Sequence, residues 1–171
     1  MTRVLLGCAL LLLAGSPLPA QQRPNFSGRW VAEAEPARSG ATGTAGSGWG
    51  ASVTITQDAS HVTVESAYFS RYDLQPPLRF VYALDGSESR NAMMVGNGTV
   101  EEVARVDWDG STMLIKALHT TPHPTELRQT LRVEVTRRLA LDASGSLVIE
   151  TARAGVLGGQ ASTARAVYRK Q

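Results

Sequence analysis

Two histidines on a short proline-containing segment are the residues best placed to bind a metal ion. His119 and His123 bracket a Thr-Thr-Pro sequence, and Glu126 follows three residues later. Imidazole is the commonest protein metal ligand, but solvated loop histidines explain the same pattern. The sequence therefore predicts no metal and no cofactor, with His119 and His123 as weak candidates only.

Acid–base and nucleophilic chemistry finds little support in the sequence. Glu101 and Glu102 are adjacent, so in a strand they point to opposite faces and cannot form a general acid–base pair by themselves. Arg90 could bind an acidic ligand through its guanidinium fork, although an ion pair with a neighbour such as Glu88 is the simpler interpretation. No Gly-x-Ser-x-Gly, phosphate-binding glycine loop or His-Glu-x-x-His occurs. We predict no catalytic residues, and an enzyme is less favoured than a binding protein.

Aromatic side chains are the best candidates for contacting an apolar ligand. We expect Trp30 and Trp108 in the core, where burial of each contributes about 2–3 kcal/mol, unless they stack on a ligand. The aromatic and proline-rich segment from Tyr68 to Leu78 is longer than a hairpin needs, and such loops often carry function. The candidate ligand-binding residues are Trp30, Tyr68, Tyr72, Tyr82, Arg90 and Trp108.

Polar and apolar residues alternate along much of the chain, which is typical of half-buried β-strands. Residues 51–57 and 61–66 form one such pair around an Asp-Ala-Ser turn, and Asp109-Gly110 is a strong hairpin signal. The segment 161–170 is a plausible closing strand. The Gly/Ala/Ser/Thr-rich stretch Ser39–Gly50 is typical of a mobile loop.

The clearest alternation runs from Leu127 to Leu141. Fifteen residues at about 3.3 Å each would be long for a straight strand in a small barrel, so we expect a bend or break near Thr136–Arg138. Arg137 then either lies in the inward register or is turned outward by a bulge.

These segments predict an all-β fold, an up-and-down antiparallel meander of eight to ten strands. A meander of this size leaves exposed edges unless it closes, so we expect a lipocalin/avidin-like barrel. The predicted organisation is a cleaved signal peptide (1–20), an N-terminal extension (21–27) and a β-barrel domain (28–171).

The first twenty residues have the layout of a secretory signal peptide. Arg3 precedes an apolar run from Val4 to Ala14, and small residues lead to a predicted cut after Ala20. The run is too short to span a bilayer as a helix, so we expect a periplasmic or secreted protein without an integral membrane segment after cleavage. The single cysteine is Cys8, so lipidation there is a weaker alternative and the mature domain has no disulfide.

The charge of the chain excludes one class of partner. Lys and Arg total 17 against 15 Asp and Glu. Nucleic-acid binding requires a concentrated basic face, which this balanced composition does not supply.

A Gly-x-Trp at Gly28–Trp30, a following meander and an arginine-bearing last strand resemble the calycin group of lipocalins, fatty-acid-binding proteins and avidins. This resemblance implies that Arg165 or Arg169 packs on Trp30 at the barrel floor. The chain also resembles uncharacterised bacterial secreted proteins in four segments. These are Asn25–Trp30, Leu84–Asn91, Trp108–Gly110 and Val167–Lys170.

Several functions remain open at this point. The leading hypothesis is an exported barrel that binds a small apolar molecule in its interior. The alternatives are a protein-interaction module, such as a secreted protease inhibitor acting through Gln21–Asn25, and a non-catalytic structural envelope protein. An eight-stranded outer-membrane barrel fits less well, because the chain has few aromatic residues and its best strand is arginine-rich on one face.

Overall fold

The computed structural model describes residues 23–33, 48–66, 77–95, 98–123, 125–126 and 129–171. The signal peptide prediction, together with Tyr68 and Tyr72, lies outside these residues. The described residues form ten strands. They are β1 (Gly28–Ala32), β2 (Ser52–Gln57), β3 (His61–Ser66), β4 (Leu78–Ala83), β5 (Ser89–Val95), β6 (Gly98–Asp109), β7 (Thr112–Pro122), β8 (Thr130–Leu141), β9 (Leu147–Arg153) and β10 (Ser162–Lys170).

All ten strands belong to one antiparallel sheet with the order β4-β3-β2-β1-β10-β9-β8-β7-β6-β5. Strands that follow one another in the sequence also lie next to one another in space. In addition, β1 pairs with β10, the last strand. The outermost strands β4 and β5 come together, which nearly closes the sheet into a barrel. No helix occurs in the described residues, and the predicted all-β meander is confirmed.

The hairpins lie where the sequence predicted them. Ile55 on β2 lies opposite Val64 on β3, and both side chains are buried, as are those of Val53 and Val62 on the same face. The β6–β7 turn is centred on Gly110, whose φ of 59° is the left-handed conformation that glycine adopts without strain. Inward apolar side chains from all around the barrel form one contiguous core.

Of the bend or break predicted in the long alternating segment, the break is wrong. Strand β8 runs uninterrupted from Thr130 to Leu141, and its ladder to β7 continues from Leu139 to Thr130 without a bulge. Strands of a closed barrel are tilted against its axis, so a long strand fits without breaking. Arg137 consequently stays in the inward register and is 2% exposed.

An aromatic cluster fills one end of the barrel, which we call the base. The Trp30 indole is buried and donates a hydrogen bond to the Phe26 carbonyl at 2.9 Å, while the Phe26 ring stacks on Trp108 at 6.3 Å. The cation over the Trp30 ring is Lys170, with Nζ 5.5 Å from the ring centroid.

The expectation that Arg165 or Arg169 packs on Trp30 is therefore wrong. The two arginines point outward and pair with Glu150 and Glu33 on the outer surface. The reason is the period of two along β10: Tyr168 is buried, so its neighbour Arg169 lies on the opposite face.

The glycine-rich segment between β1 and β2 contributes to the interior. Only residues 48–50 of the predicted loop Ser39–Gly50 are described, and within them Trp49 has no exposed surface. The described end of this segment is thus packed into the barrel.

Among the described residues, no helix is long and apolar enough to cross a membrane.

Candidate functional site

Three ionisable side chains meet inside the barrel, on three adjacent strands. Even-numbered residues of β6 point inward, which places Glu102 in line with the buried Ala104 and Val106. On the next two strands, His119 of β7 lies directly opposite Glu102, and Arg137 of β8 lies opposite Ile115. The register thus brings the imidazole to the carboxylate, and the long Arg137 side chain brings its guanidinium to the same carboxylate.

The Glu102 carboxylate is the centre of this group. Its Oε2 lies 2.8 Å from His119 Nε2 and accepts a hydrogen bond from Arg137 Nη1 at 3.3 Å. Its Oε1 accepts a hydrogen bond from the Asn91 side-chain amide at 3.1 Å. We call Glu102, His119, Arg137 and Asn91 the buried ion cluster.

Burial makes these interactions strong. Glu102 has no exposed surface, whereas the His119 side chain is 14% exposed. Burial alone would raise the pKa of Glu102, but the hydrogen bond from His119 and the charges of Arg137 and His119 outweigh it and lower that pKa below its ordinary value. The carboxylate is thus ionised at neutral pH inside a protein core.

Tyr82 on β4 adjoins the cluster. Burial, and then the negative charge of nearby Glu102, raise the pKa of Tyr82 well above its usual value, so the phenol stays neutral. Its side chain is completely buried, and its hydroxyl faces the Glu102 carboxylate, to which a neutral phenol can donate a hydrogen bond.

Aromatic rings lie beside the Arg137 end of the cluster. The Arg137 guanidinium carbon lies 5.2 Å from the centroid of the Trp49 ring, and Trp49 lies 6.5 Å from the Phe80 ring. A Cβ on Gly48 would stand 3.4 Å from Arg137 Nη2 and 3.8 Å from Arg153 Nη2, so two guanidinium groups converge on this turn. Trp49, Arg137 and the inward-facing Arg153 form a compact cationic and aromatic group.

The cluster is also connected to the seam between β4 and β5, the two strands that the sheet ladder does not join. The Asn91 Oδ1 accepts a hydrogen bond from the Val81 amide at 2.8 Å, and Asn91 Nδ2 donates to the Val81 carbonyl at 3.3 Å. Nearer the turn, Ser89 Oγ accepts from the Ala83 amide at 2.9 Å. Side chains of β5 thus take the place of a backbone ladder, and one of them is held by Glu102.

Much of the interior contains no free space. The core side chains of the middle and base of the barrel, such as Met113, Ile115 and Ile149, have no accessible surface. A side chain without accessible surface touches no void as large as a water molecule. Inward side chains beyond the cluster are instead partly exposed, and we call this end the rim. Its members are Val100, His119, Thr121, Leu131 and Val133.

The structure brings together only part of the predicted ligand-binding set. Tyr82 lies beside the ion cluster, whereas Trp30 and Trp108 lie at the base, where Arg23 also covers Trp108 at 5.0 Å. Arg90 points outward from β5 and pairs with Glu88, as the simpler interpretation predicted. Tyr68 and Tyr72 are outside the described residues.

The two histidines considered as metal ligands have different partners. His119 belongs to the ion cluster, while His123 Nδ1 accepts a hydrogen bond from the Glu126 amide at 3.0 Å in the β7–β8 connection. In the described ranges, no group of three or more His, Cys, Asp or Glu side chains is arranged to hold a metal ion.

Sequence reasoning missed Glu102, Asn91 and Trp49 as site residues. The alternation along β6 could have indicated Glu102, because this residue shares its face with the apolar Ala104 and Val106. On β8 the same alternation places Arg137 among apolar residues, but it does not identify the residue with which Arg137 pairs. No pattern within single strands could show that these residues meet.

Comparison with protein-family models gave no match, and neither did comparison with curated proteins or with solved structures.

Proposed function

We propose that the chain is an exported, calycin-type barrel that binds a small, mostly apolar ligand and holds a polar group of that ligand at the buried ion cluster. The observation that carries the proposal is the presence of ionised Glu102 and Arg137 within an apolar core. Replacing a buried ion pair with apolar residues of similar volume is often neutral or stabilising. Stability alone therefore does not account for the cluster, and perturbed ionisable groups in an interior favour a binding site.

The rim is the route by which such a ligand would reach the cluster. His119 is a part-exposed member of the cluster, as Asn91 is, and the inward side chains Val100, Leu131 and Val133 around it are apolar and part-exposed. A few polar groups within an apolar lining are the usual composition of a small-molecule site. The packed base supports binding at the rim end and not along the whole barrel.

The protein-interaction alternative finds less support. An inhibitor acting through Gln21–Asn25 would need that segment to be accessible. Yet the Gln57 side chain donates a hydrogen bond to the Pro24 carbonyl at 3.1 Å and accepts one from the Phe26 amide at 3.0 Å. The described end of the segment is thus bound to the barrel itself.

Native mass spectrometry of the protein purified from its own host, followed by organic extraction, tests the proposal. We expect a discrete small molecule with the wild-type protein, and a mature chain that begins at Gln21. The cluster variant Glu102→Gln/Arg137→Met, which leaves no lone buried charge, should lose that molecule. The outer-wall variant Glu150→Gln/Arg165→Met removes an exposed pair and should retain it.

An apoprotein that also fails to bind any small apolar probe would overturn the proposed function. Retention of the same molecule by the cluster variant would show that the ligand lies elsewhere.

A further inference from the structure

Trp49 is attached to the chain differently from the aromatic side chains around it. Phe80, Tyr82 and Tyr168 project from strands, whereas Trp49 projects from a turn ahead of β2. The glycines on either side have φ angles of 78° (Gly48) and 79° (Gly50), a conformation in which other residues are strained. The indole is fully buried even though no strand ladder fixes its backbone.

The surroundings of the indole match a flat aromatic ring. The Arg137 guanidinium lies 5.2 Å from the ring centroid, within the range of a cation–π interaction. The Phe80 ring is tilted by 38° to the indole at 6.5 Å. The Tyr168 hydroxyl donates a hydrogen bond to the Gly50 carbonyl at 2.7 Å and so holds the turn in place.

We propose that Trp49 occupies, within its own chain, a site for the flat aromatic group of a ligand, which displaces the indole when it binds. This inference rests on the proposed ligand-binding function and names the ligand class. Glu102 also binds Arg137, so the guanidinium keeps this contact when the indole leaves. Withdrawal of Trp49 breaks no strand pairing, because the residue lies outside the ladders of β1 and β2.

An internal competitor lowers the apparent affinity for a ligand in proportion to its occupancy. Removal of the Trp49 side chain should therefore strengthen the binding of an aromatic probe. A residue that served only as core filling would leave a hole that accepts any apolar molecule of suitable size.

The test compares 2-naphthol with its saturated counterpart decahydro-2-naphthol, which has the same skeleton and hydroxyl group but no aromatic ring. We expect Trp49→Ala to bind 2-naphthol about tenfold more tightly than wild type does, and about tenfold more tightly than it binds the saturated probe. Leu147→Ala opens a fully buried hole at the base, away from Arg137, and should show neither effect. Adding Glu102→Gln/Arg137→Met to Trp49→Ala should abolish the preference for the aromatic probe.

A second measurement on the wild-type chain covers the case in which Trp49→Ala does not fold. Saturating 2-naphthol should move the Trp49 indole N–H resonance, assigned with Trp49→Phe, to its solvent-exposed position, while the saturated probe should not. Equal binding of the two probes by Trp49→Ala, or an unmoved Trp49 resonance, would overturn the inference. An aliphatic molecule that copurifies with a chain indifferent to 2-naphthol would overturn the aromatic class and leave the proposed function standing.

Discussion

The base and the ion cluster fill the same barrel in opposite ways. At the base, Phe26 and Trp30 exclude water with large rings, and the Trp30 indole N–H donates a hydrogen bond to the Phe26 carbonyl. At the cluster, Glu102 and Arg137 are buried as ions and depend on each other. Apolar packing tolerates a change of shape of similar volume, whereas a buried ion tolerates no loss of its partner.

This difference separates what holds the barrel together from what is available for binding. The base is closed by apolar rings, and the hydrogen bond of its Trp30 indole is made only four residues away along the chain. The cluster joins four strands and reaches the β4–β5 seam through Asn91. Perturbing the two regions should therefore give effects of different size and kind.

The largest expected effect is that of Glu102→Leu, because it leaves Arg137 buried without its carboxylate. We expect the free energy of unfolding to fall by about 3–5 kcal/mol, measured by urea denaturation. Glu101→Leu is the matched control: it alters the adjacent residue on the exposed face and should change stability by less than about 0.5 kcal/mol. Equal losses of unfolding free energy in the two variants would mean that Arg137 does not depend on the Glu102 carboxylate.

At the base, the size of the side chain should decide the outcome. Leu147 is fully buried, so Leu147→Ala should lower the free energy of unfolding by about 2–5 kcal/mol through lost burial and the cavity it leaves. Leu147→Met conserves most of the volume and should cost less than about 1.5 kcal/mol. A large loss with methionine would contradict the view that the base requires only volume.

The seam tests how far the cluster extends. Asn91→Ala removes the side-chain bonds to Val81 and leaves its backbone groups and Glu102 less well satisfied, which should lower stability by about 1–3 kcal/mol. Hydrogen exchange should accelerate in β4 and β5 before it does in β8. Arg90→Ala, its exposed neighbour, is the control. Unchanged protection of Val81 would show that the seam is held by other contacts.

Acidification should act on the two regions differently. The pKa of Glu102 is lowered in the folded state, since the hydrogen bond from His119 and the charges of Arg137 and His119 outweigh the effect of burial. A lowered carboxyl pKa contributes stability above the unfolded-state pKa, and this contribution is lost as the pH falls through the folded-state value.

Wild type should therefore lose more stability than Glu102→Gln when the pH falls below the ordinary range of glutamate. Exposed carboxylates titrate in both proteins, so the difference between the two pH profiles isolates Glu102. Parallel profiles would show that Glu102 is not the group whose ionisation is linked to folding.

The meander was predictable because its determinants are local. Alternation and turn residues identified the β2–β3 hairpin and the turn at Gly110, and the same alternation kept Arg137 in the inward register. Consistent use of that alternation would also have excluded Arg165 and Arg169 as partners of Trp30, because they alternate with the apolar positions Ala166 and Tyr168.

The cluster was not predictable, because its contacts depend on registers between strands. His119 and Arg137 contact Glu102 across sequence separations of 17 and 35 residues. A shift of one residue in either ladder would turn the side chain outward. The burial of Trp49 depends similarly on a turn whose composition indicates only a loop.

The smallest expected effect belongs to the outer surface, which provides the baseline for the comparison. Arg169 Nε contacts Glu33 Oε1 at 2.7 Å, but its side chain is 77% exposed. Exposed ion pairs gain little because water and salt screen them. Arg169→Ala should therefore leave the midpoint of urea unfolding unchanged within error and insensitive to added salt, in contrast to Glu102→Leu. A clear loss of stability in Arg169→Ala would mean that pairing between β1 and β10 depends on this contact. Ion pairs on the outer surface would then stabilise the barrel as well as those in its interior.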